Sequence, residues 1–131
     1  MSRNKGKPAR LSDLESLVMD YVWSRGASSA EDIREGLSGR WPMKDSTART
    51  VLRRLESKGF LRHAVEGRTF IYEGTEPPSA VAVRAVRQIL DRFCRGSVES
   101  LLVGMVENEV IDDEELERLA RKIRKAQRKK T

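Results

Sequence analysis

The sequence predicts a mostly α-helical chain that carries one small β-hairpin. Six segments repeat apolar residues every three or four positions, the spacing of one buried helix face. After the third segment, two short runs rich in β-branched and aromatic residues flank a glycine-containing turn, which favours a hairpin. Hydrophobic residues make up 38% of the 131, enough for a compact core, although a chain this short often needs a partner subunit to bury its apolar faces.

The charge of the chain favours a polyanionic partner. Lys and Arg number 26 against 20 Asp and Glu, a formal net charge of +6, which suits nucleic acid or an anionic membrane surface. An ordinary solvated surface explains this excess equally well. Residues 1–10 are basic and lack periodic apolar positions, so we expect a disordered arm rather than a secretory signal.

Membrane insertion and disulfide chemistry find no support in the sequence. No stretch approaches the roughly 18 consecutive apolar residues of a membrane span. Cys94 is the single cysteine, which excludes an intramolecular disulfide. We therefore expect no membrane insertion and a cytoplasmic location.

The first helix has a clear start and a clear stop. Ser12 and Glu15 are spaced as a capping box, which satisfies free N–H groups at the start of a helix. Gly26 is expected to end it. Its predicted buried face consists of Leu14, Leu17, Val18, Tyr21 and Val22.

The second helix is predicted to be shorter. Ser28, with Glu31 three residues later, marks its expected start, and Gly39 its expected end. Its predicted buried residues are Ala30, Ile33 and Leu37. Because Pro42 disfavours helix at the preceding residue, we expect the chain to be extended at Trp41 and able to form a short strand there.

The third helix and the hairpin complete the N-terminal half. The helix is predicted to begin near Asp45 or Ser46 and to end at Lys58-Gly59. Its predicted inner face consists of Ala48, Val51, Leu52 and Leu55. The two strands are expected at 60–65 and 69–72, around the turn at 66–68. Three helices followed by a hairpin is the order of a winged helix-turn-helix.

Three further helices are predicted after a linker at 73–78. The first is expected to be capped by Ser79 and broken at Arg95-Gly96, and the second to be capped by Ser97. The last opens with the acids 112–115, which suit the positive end of a helix dipole. The predicted apolar positions are Val83, Val86, Ile89, Leu90, Phe93, Val98, Leu101, Leu102, Met105, Val106, Leu116, Leu119, Ala120 and Ile123.

The third helix has a second, polar face that suits DNA. Opposite its apolar side lie Ser46, Thr50, Arg53 and Ser57, flanked by Arg49 and Arg54. Arginine can bind guanine through two hydrogen bonds, and threonine offers a hydroxyl and a methyl group. A solvated helix face would carry acids as often as bases, yet only Asp45 and Glu56 oppose five basic residues between 44 and 58.

These considerations predict two sets of DNA-binding residues. Base recognition is assigned to Ser46, Thr47, Arg49, Thr50 and Arg53. Phosphate contacts are assigned to Lys44, Arg54 and, at the hairpin tip, Arg68. A lone loop arginine such as Arg68 is also often merely solvated.

The sequence offers no catalytic, metal or cofactor site. His63, the single histidine, is expected to fill a position in the hairpin, and Cys94 to be a packing residue without a nucleophile's partner. Trp23 and Trp41 are expected in the core. We therefore predict that the protein is not an enzyme and binds no cofactor.

The sequence resembles the penicillinase and methicillin-resistance repressors, the BlaI/MecI/CopY family, from Leu11 to Leu119. The third helix, Thr47–Leu55 with Lys58–Leu61, is similar to that family's recognition helix. The other similar blocks are Leu11–Glu15, Val18-Met19, Val22-Trp23, Glu66–Arg68 with Phe70 and Tyr72, Asp91–Phe93, Gly96–Val98 and Leu101-Leu102.

The resemblance implies a transcriptional repressor that binds a palindromic operator as a homodimer. It implies that the three C-terminal helices of two subunits interlock, and it assigns dimerisation to Val86, Ile89, Leu90, Phe93, Val98, Leu101, Leu102, Met105, Leu116, Leu119 and Ile123. It also implies relief of repression through cleavage by a membrane-embedded sensor metalloprotease, at the position of Gly104-Met105. The family cleaves after asparagine, which Gly104 is not, and the Cys-x-Cys hook of its copper-responsive branch is missing here.

The predicted organisation is a basic arm at 1–10, a winged helix-turn-helix at 11–75, a helical dimerisation region at 79–127 and a basic tail at 128–131. The predicted function is repression of transcription at a two-fold symmetric operator on double-stranded DNA. Two alternatives stay open. One is an adaptor that docks a protein partner on the winged fold, and the other is a nonspecific basic DNA-binding protein.

Overall fold

The computed structural model describes residues 10–130, of which Lys130 is described by its backbone alone. The predicted basic arm therefore lies outside the described residues except for Arg10. The elements are α1 (Asp13–Arg25), β1 (Ser28–Ser29), α2 (Ala30–Gly36), α3 (Asp45–Ser57), β2 (Leu61–Glu66), β3 (Thr69–Gly74), α4 (Pro78–Phe93), α5 (Val98–Glu107) and α6 (Asp113–Lys130). The chain forms two compact units that divide between Ala85 and Val86, inside α4.

Helix α1 is capped as predicted. The backbone N–H of Glu15 donates to Ser12 Oγ (3.2 Å), and the backbone N–H of Ser12 donates to Glu15 Oε1 (2.8 Å). Gly26 is the C-cap. The prediction omitted Met19, which is fully buried beside Val18 and Val22.

Helix α2 begins one residue later than predicted. Ser29, not Ser28, is the N-cap, and its capping box uses Asp32 instead of Glu31. Ser28 belongs to β1, where it pairs with Tyr72 of β3. The helix also ends at Gly36, before the predicted stop at Gly39, and the predicted strand at Trp41 is wrong because that residue lies in a bend.

Gly36 marks a close approach between α2 and α1. A Cβ atom at this position would lie 2.1 Å from Cε2 of Tyr21, far inside van der Waals contact. Gly39, in contrast, has no atom within 4 Å of the place where its Cβ would be. Only glycine therefore lets the Tyr21 ring lie across the end of α2.

The core of the first unit lies between α1, α2, α3 and the sheet. The predicted inner face of α3 is confirmed, since Ala48, Val51, Leu52 and Leu55 are all buried. The core cluster contains Val18, Met19, Val22, Ile33, Leu37, Val51, Leu52, Leu55, Phe60, Leu61 and Tyr72. Trp23 packs against it half-buried, but Trp41, also predicted in the core, is 39% exposed.

The three antiparallel strands lie in the order β1-β3-β2. Glu66 pairs with Thr69, so the predicted hairpin closes through a two-residue loop, Gly67-Arg68. Gly67 has φ 66°, a conformation that glycine adopts without strain and that tight hairpin loops require. The loop places Arg68 at the tip.

The linker is shorter than predicted, because β3 extends to Gly74 and α4 begins at Pro78, before the predicted cap Ser79. In this linker, Glu76 accepts hydrogen bonds through both its backbone carbonyl and its side-chain carboxylate. The indole Nε1 of Trp23 donates to the Glu76 carbonyl (3.1 Å), and the Arg84 guanidinium donates to both carboxylate oxygens. The Arg84 hydrogen bond lowers the pKa of Glu76, and the same hydrogen bond raises the pKa of Arg84.

The second unit contains the end of α4 followed by α5 and α6. The break at Arg95-Gly96 and the cap at Ser97, which accepts from the Ser100 N–H (3.0 Å), are as predicted. Among the described residues of this unit, Leu90 and Ile111 are its buried apolar side chains. The basic tail predicted from residue 128 continues α6 through Lys130.

Candidate nucleic-acid interface

The polar face of α3 is exposed. Ser46, Thr47, Arg49 and Arg53 are exposed, and Thr50 is half-buried. The Thr50 hydroxyl donates to the Ser46 carbonyl (2.9 Å). This hydrogen bond fixes the rotamer of Thr50, so that its oxygen remains available as an acceptor beside its methyl group.

Both acids of this helix are engaged by neighbouring elements. Asp45 Oδ1 lies 2.7 Å from Arg34 Nε of α2, and Glu56 Oε2 lies 2.6 Å from His63 Nδ1 of β2. Within residues 10–130, no ion pair with a carboxylate involves Arg49, Arg53 or Arg54, which are all exposed. The outer face of α3 therefore carries uncompensated positive charge.

Lys58, counted with this basic set in the sequence, has a different role. Its Nζ donates to Glu15 Oε1 (2.7 Å) and to the Arg10 carbonyl (2.8 Å), so it ties the end of α3 to the start of α1. Burial would raise the pKa of the Glu15 carboxyl. The hydrogen bonds from Lys58 and Ser12, together with the Lys58 charge, outweigh burial, so the pKa lies below its ordinary value.

A groove of about 580 Å³ separates α3 from the hairpin. Its lining side chains are Ser29, Ala30, Glu31, Arg49, Arg68, Thr69, Phe70 and Tyr72. It brings Arg49 of α3 and Arg68 of the hairpin tip, two predicted DNA-binding residues far apart in sequence, to one surface. Burial raises the pKa of Tyr72, the charge of Glu56 adds to this effect, and the charges of Arg53 and Arg49 oppose it.

His63 joins the two strands of the hairpin to each other and to α3. The His63 ring stacks on Phe70 with centroids 4.1 Å apart and planes inclined by 9°. Its Nδ1 is also the atom that meets Glu56 of α3. His63 thus fills the hairpin position predicted for it, and sequence reasoning missed that it also connects the two elements that line the groove.

The remaining predicted residues stand apart from this groove. Lys44 is the exposed N-cap of α3 and makes no side-chain cap hydrogen bond.

Cys94 is a half-buried free thiol in the second unit. In the part of the chain that the structure describes, no three His, Cys, Asp or Glu side chains are grouped as a metal site, and no helix has the length and apolar character to cross a membrane.

Comparison with known proteins decides the family. The family described as "Penicillinase repressor" matches residues 11–125. The chain belongs to the penicillinase repressor family. The penicillinase repressor of Bacillus licheniformis is 30% identical over 113 residues, 86% of this chain and 88% of the relative. The methicillin resistance regulatory protein MecI of Staphylococcus aureus strain N315 is 26% identical over 113 residues, 86% and 92% of the two chains.

Solved structures agree with this assignment. The solution structure of the DNA-binding domain of the repressor BlaI is 33% identical, with a TM-score of 0.50, and the match covers 56% of this chain and 89% of that one. The predicted family and fold class are confirmed: the chain is a BlaI/MecI-like transcriptional repressor with a winged-helix DNA-binding domain and a C-terminal helical region. The family is one of DNA-binding repressors and not of enzymes.

Proposed function

We propose that this penicillinase repressor family member represses transcription as a homodimer that binds a two-fold symmetric operator through α3 of each subunit. The observation that carries the proposal is the exposed basic face of α3, whose Arg49, Arg53 and Arg54 pair with no carboxylate within residues 10–130. Positive charge that pairs with no acid favours a polyanion, and a helix of this size fits the major groove.

The predicted DNA-binding residues fall into two groups, those assigned to base edges and those assigned to phosphates. The side chains assigned to base edges are Ser46, Thr47, Arg49, Thr50 and Arg53. Phosphates are assigned to Lys44 at the N-cap, to Arg54 on the flank of α3 and to Arg68. The groove supports the last assignment, because it lets Arg49 and Arg68 contact the duplex on the two sides of one concave surface.

Exposed apolar side chains in the second unit support the homodimer. Phe93 is 74% exposed, and Val86, Ile89, Val98, Leu102, Leu119 and Ile123 are also exposed. Leu101, Met105 and Leu116 are half-buried. Leu90 differs, because it is buried within its own chain and leaves little area for a partner. Many exposed apolar side chains in one small unit favour an interface with a second copy. A two-fold symmetric dimer would in turn bind an operator with two-fold symmetry.

The proposal includes relief of repression by proteolysis within α5. Gly104 and Met105 are half-buried in the middle of α5. Glycine inside a helix costs about 1 kcal/mol relative to alanine, which favours local opening at this bond. Cleavage there by a membrane sensor metalloprotease would divide α5 and weaken the dimer.

Selection from a pool of random duplexes tests the proposal and lets the protein itself define its operator. The full chain is incubated with duplexes whose random segment spans about three helical turns, and bound DNA is sequenced. We expect a motif with two-fold symmetry, bound by two chains roughly a thousandfold more tightly than scrambled DNA at physiological salt. DNA from upstream of the protein's own gene serves as the natural probe.

Arginine variants locate the interface. We expect Arg49→Ala and Arg53→Ala each to weaken operator binding by about 1–3 kcal/mol while the melting temperature stays unchanged. Arg62→Ala is the charge-matched control, since Arg62 is exposed and pairs with Glu73 on the hairpin (2.9 Å). Enrichment of no motif, with binding that fades in salt, would indicate a nonspecific binder. Absence of DNA binding would indicate the adaptor.

A further inference from the structure

Helix α6 carries two opposite faces. Helical spacing places Leu116, Leu119, Ala120 and Ile123 on one side. The last acid of the sequence is Glu117, and every position on the opposite side after it is basic. These exposed basic residues, here called the α6 basic face, are Arg118, Arg121, Lys122, Arg124, Lys125, Arg128 and Lys129.

The α6 basic face is a dense positive surface. Five of its side chains line a shallow concave surface that contains no acid: Arg121, Arg124, Lys125, Arg128 and Lys129. Lys122, Lys125 and Lys129 form no ion pair with any residue between 10 and 130. Like charges one helical turn apart destabilise a helix. Repulsion among these side chains therefore destabilises α6 in the free protein, and a bound anion would relieve that repulsion.

We propose that the α6 basic face is a second nucleic-acid contact, which binds the phosphate backbone of duplex DNA without regard to sequence. Its seven charges extend over roughly 17 Å of helix, at about 1.5 Å per residue. That is about one charge per 2.4 Å, against one phosphate per roughly 1.7 Å of duplex axis. The α6 basic face therefore carries positive charge at roughly 70% of the linear density of the negative charge on the duplex.

An anionic membrane is the other polyanion that a basic amphipathic helix can bind. Membrane binding needs an apolar face free to enter the lipid, commonly anchored by aromatic residues. Helix α6 contains no Trp, Tyr or Phe. Its apolar side chains, Leu119 and Ile123 among them, are those assigned above to the homodimer. The chain already carries a DNA-binding domain, which favours DNA as the partner.

The test compares two triple variants of the full chain. Lys122→Gln, Lys125→Gln and Lys129→Gln together remove three charges per subunit, and Lys and Gln have similar helix propensities. The matched control replaces the same three lysines by arginine and keeps the charge. Binding to a mixed-sequence duplex of about four helical turns is measured by fluorescence anisotropy over a salt series, with circular dichroism to verify folding.

The salt dependence gives the decisive readout. Each phosphate contact contributes about 0.9 to the slope of log affinity against log salt. We expect the glutamine variant to lower this slope by about 2 to 5 per dimer and to bind more than tenfold more weakly near physiological salt, whereas the arginine variant matches the wild type. An unchanged slope in the glutamine variant overturns the inference. Binding of the same three proteins to phosphatidylglycerol vesicles is measured in parallel. If the slope is unchanged and only the glutamine variant loses vesicle binding, the inference is likewise overturned and the face is assigned to membranes.

The inference rests on the proposed DNA-binding function, yet the two fail separately. If the wild type shows no operator preference but the slope falls in the glutamine variant, the operator proposal fails and the α6 contact stands. If operator preference is present and the slope is the same in all three proteins, the α6 contact fails and the operator proposal stands.

Discussion

Replacing Phe93 by alanine should dissociate the proposed homodimer. Phe93 ends α4 with 74% of its surface exposed, the largest fraction among the exposed large apolar side chains of residues 10–130. A phenylalanine that buries about 200 Å² in total would here remove about 150 Å² from water. At roughly 25 cal/mol per Å², and allowing for the methyl group that alanine keeps, the loss is about 2–3 kcal/mol per subunit. Two copies lose about 5 kcal/mol, which raises the dimer dissociation constant more than a thousandfold.

Sedimentation equilibrium of the full chain without DNA, over a range of concentrations, measures this constant. Val65→Ala is the control, because Val65 is 58% exposed but lies on the hairpin of the first unit. We expect its dimer constant to equal that of the wild type. The reasoning is refuted if Phe93→Ala remains as tightly dimeric as the wild type, or if Val65→Ala dissociates to the same extent.

Two further predictions concern the first unit. Gly36→Ala should lower the free energy of unfolding by about 1–3 kcal/mol, because its methyl group would collide with Tyr21, whereas Gly39→Ala should change it little; equal urea midpoints for both variants would contradict this. Glu15→Gln should cost about 2 kcal/mol at pH 7, because it removes the charged acceptor of Lys58. The pKa of Glu15 is lower in the folded chain than its ordinary value of 4.5, so this contribution is present above that pH and is lost as pH falls through the folded pKa. Urea titrations at pH 7 and pH 3 should show the deficit shrinking, and a deficit that does not change with pH would contradict the prediction.

The features that sequence predicted well are decided by nearby residues. The capping box of α1 needs only Ser12 and Glu15, and the hairpin loop needs only a glycine at 67 between two β-prone runs. The two faces of α3 follow from helical spacing alone, so its buried side could be predicted whatever elements pack on it. Local chemistry and periodicity are sufficient in each case.

The features that sequence missed depend on distant partners. Ser28 and Ser29 are each followed by an acid three residues later, so two capping boxes were available for α2. Pairing of Ser28 with Tyr72, far along the chain, assigns Ser28 to β1 and leaves Ser29 as the cap. Likewise, nothing near Lys58 in the sequence indicates that it reaches Glu15, 43 residues away.

The ion pairs around α3 shape its charge more than they stabilise the fold. Exposed pairs such as Arg34 with Asp45 contribute about 0–1 kcal/mol, so their loss would scarcely unfold the chain. A carboxylate on a surface that faces phosphates repels them within a Debye length of about 8 Å. Because the Arg34 guanidinium lies 2.7 Å from Asp45, it offsets the charge of that acid, whereas within residues 10–130 no carboxylate pairs with Arg49 or Arg53. The elements that pack against α3 thereby tune the proposed DNA-binding face, although none of these ion pairs is predictable from α3 alone.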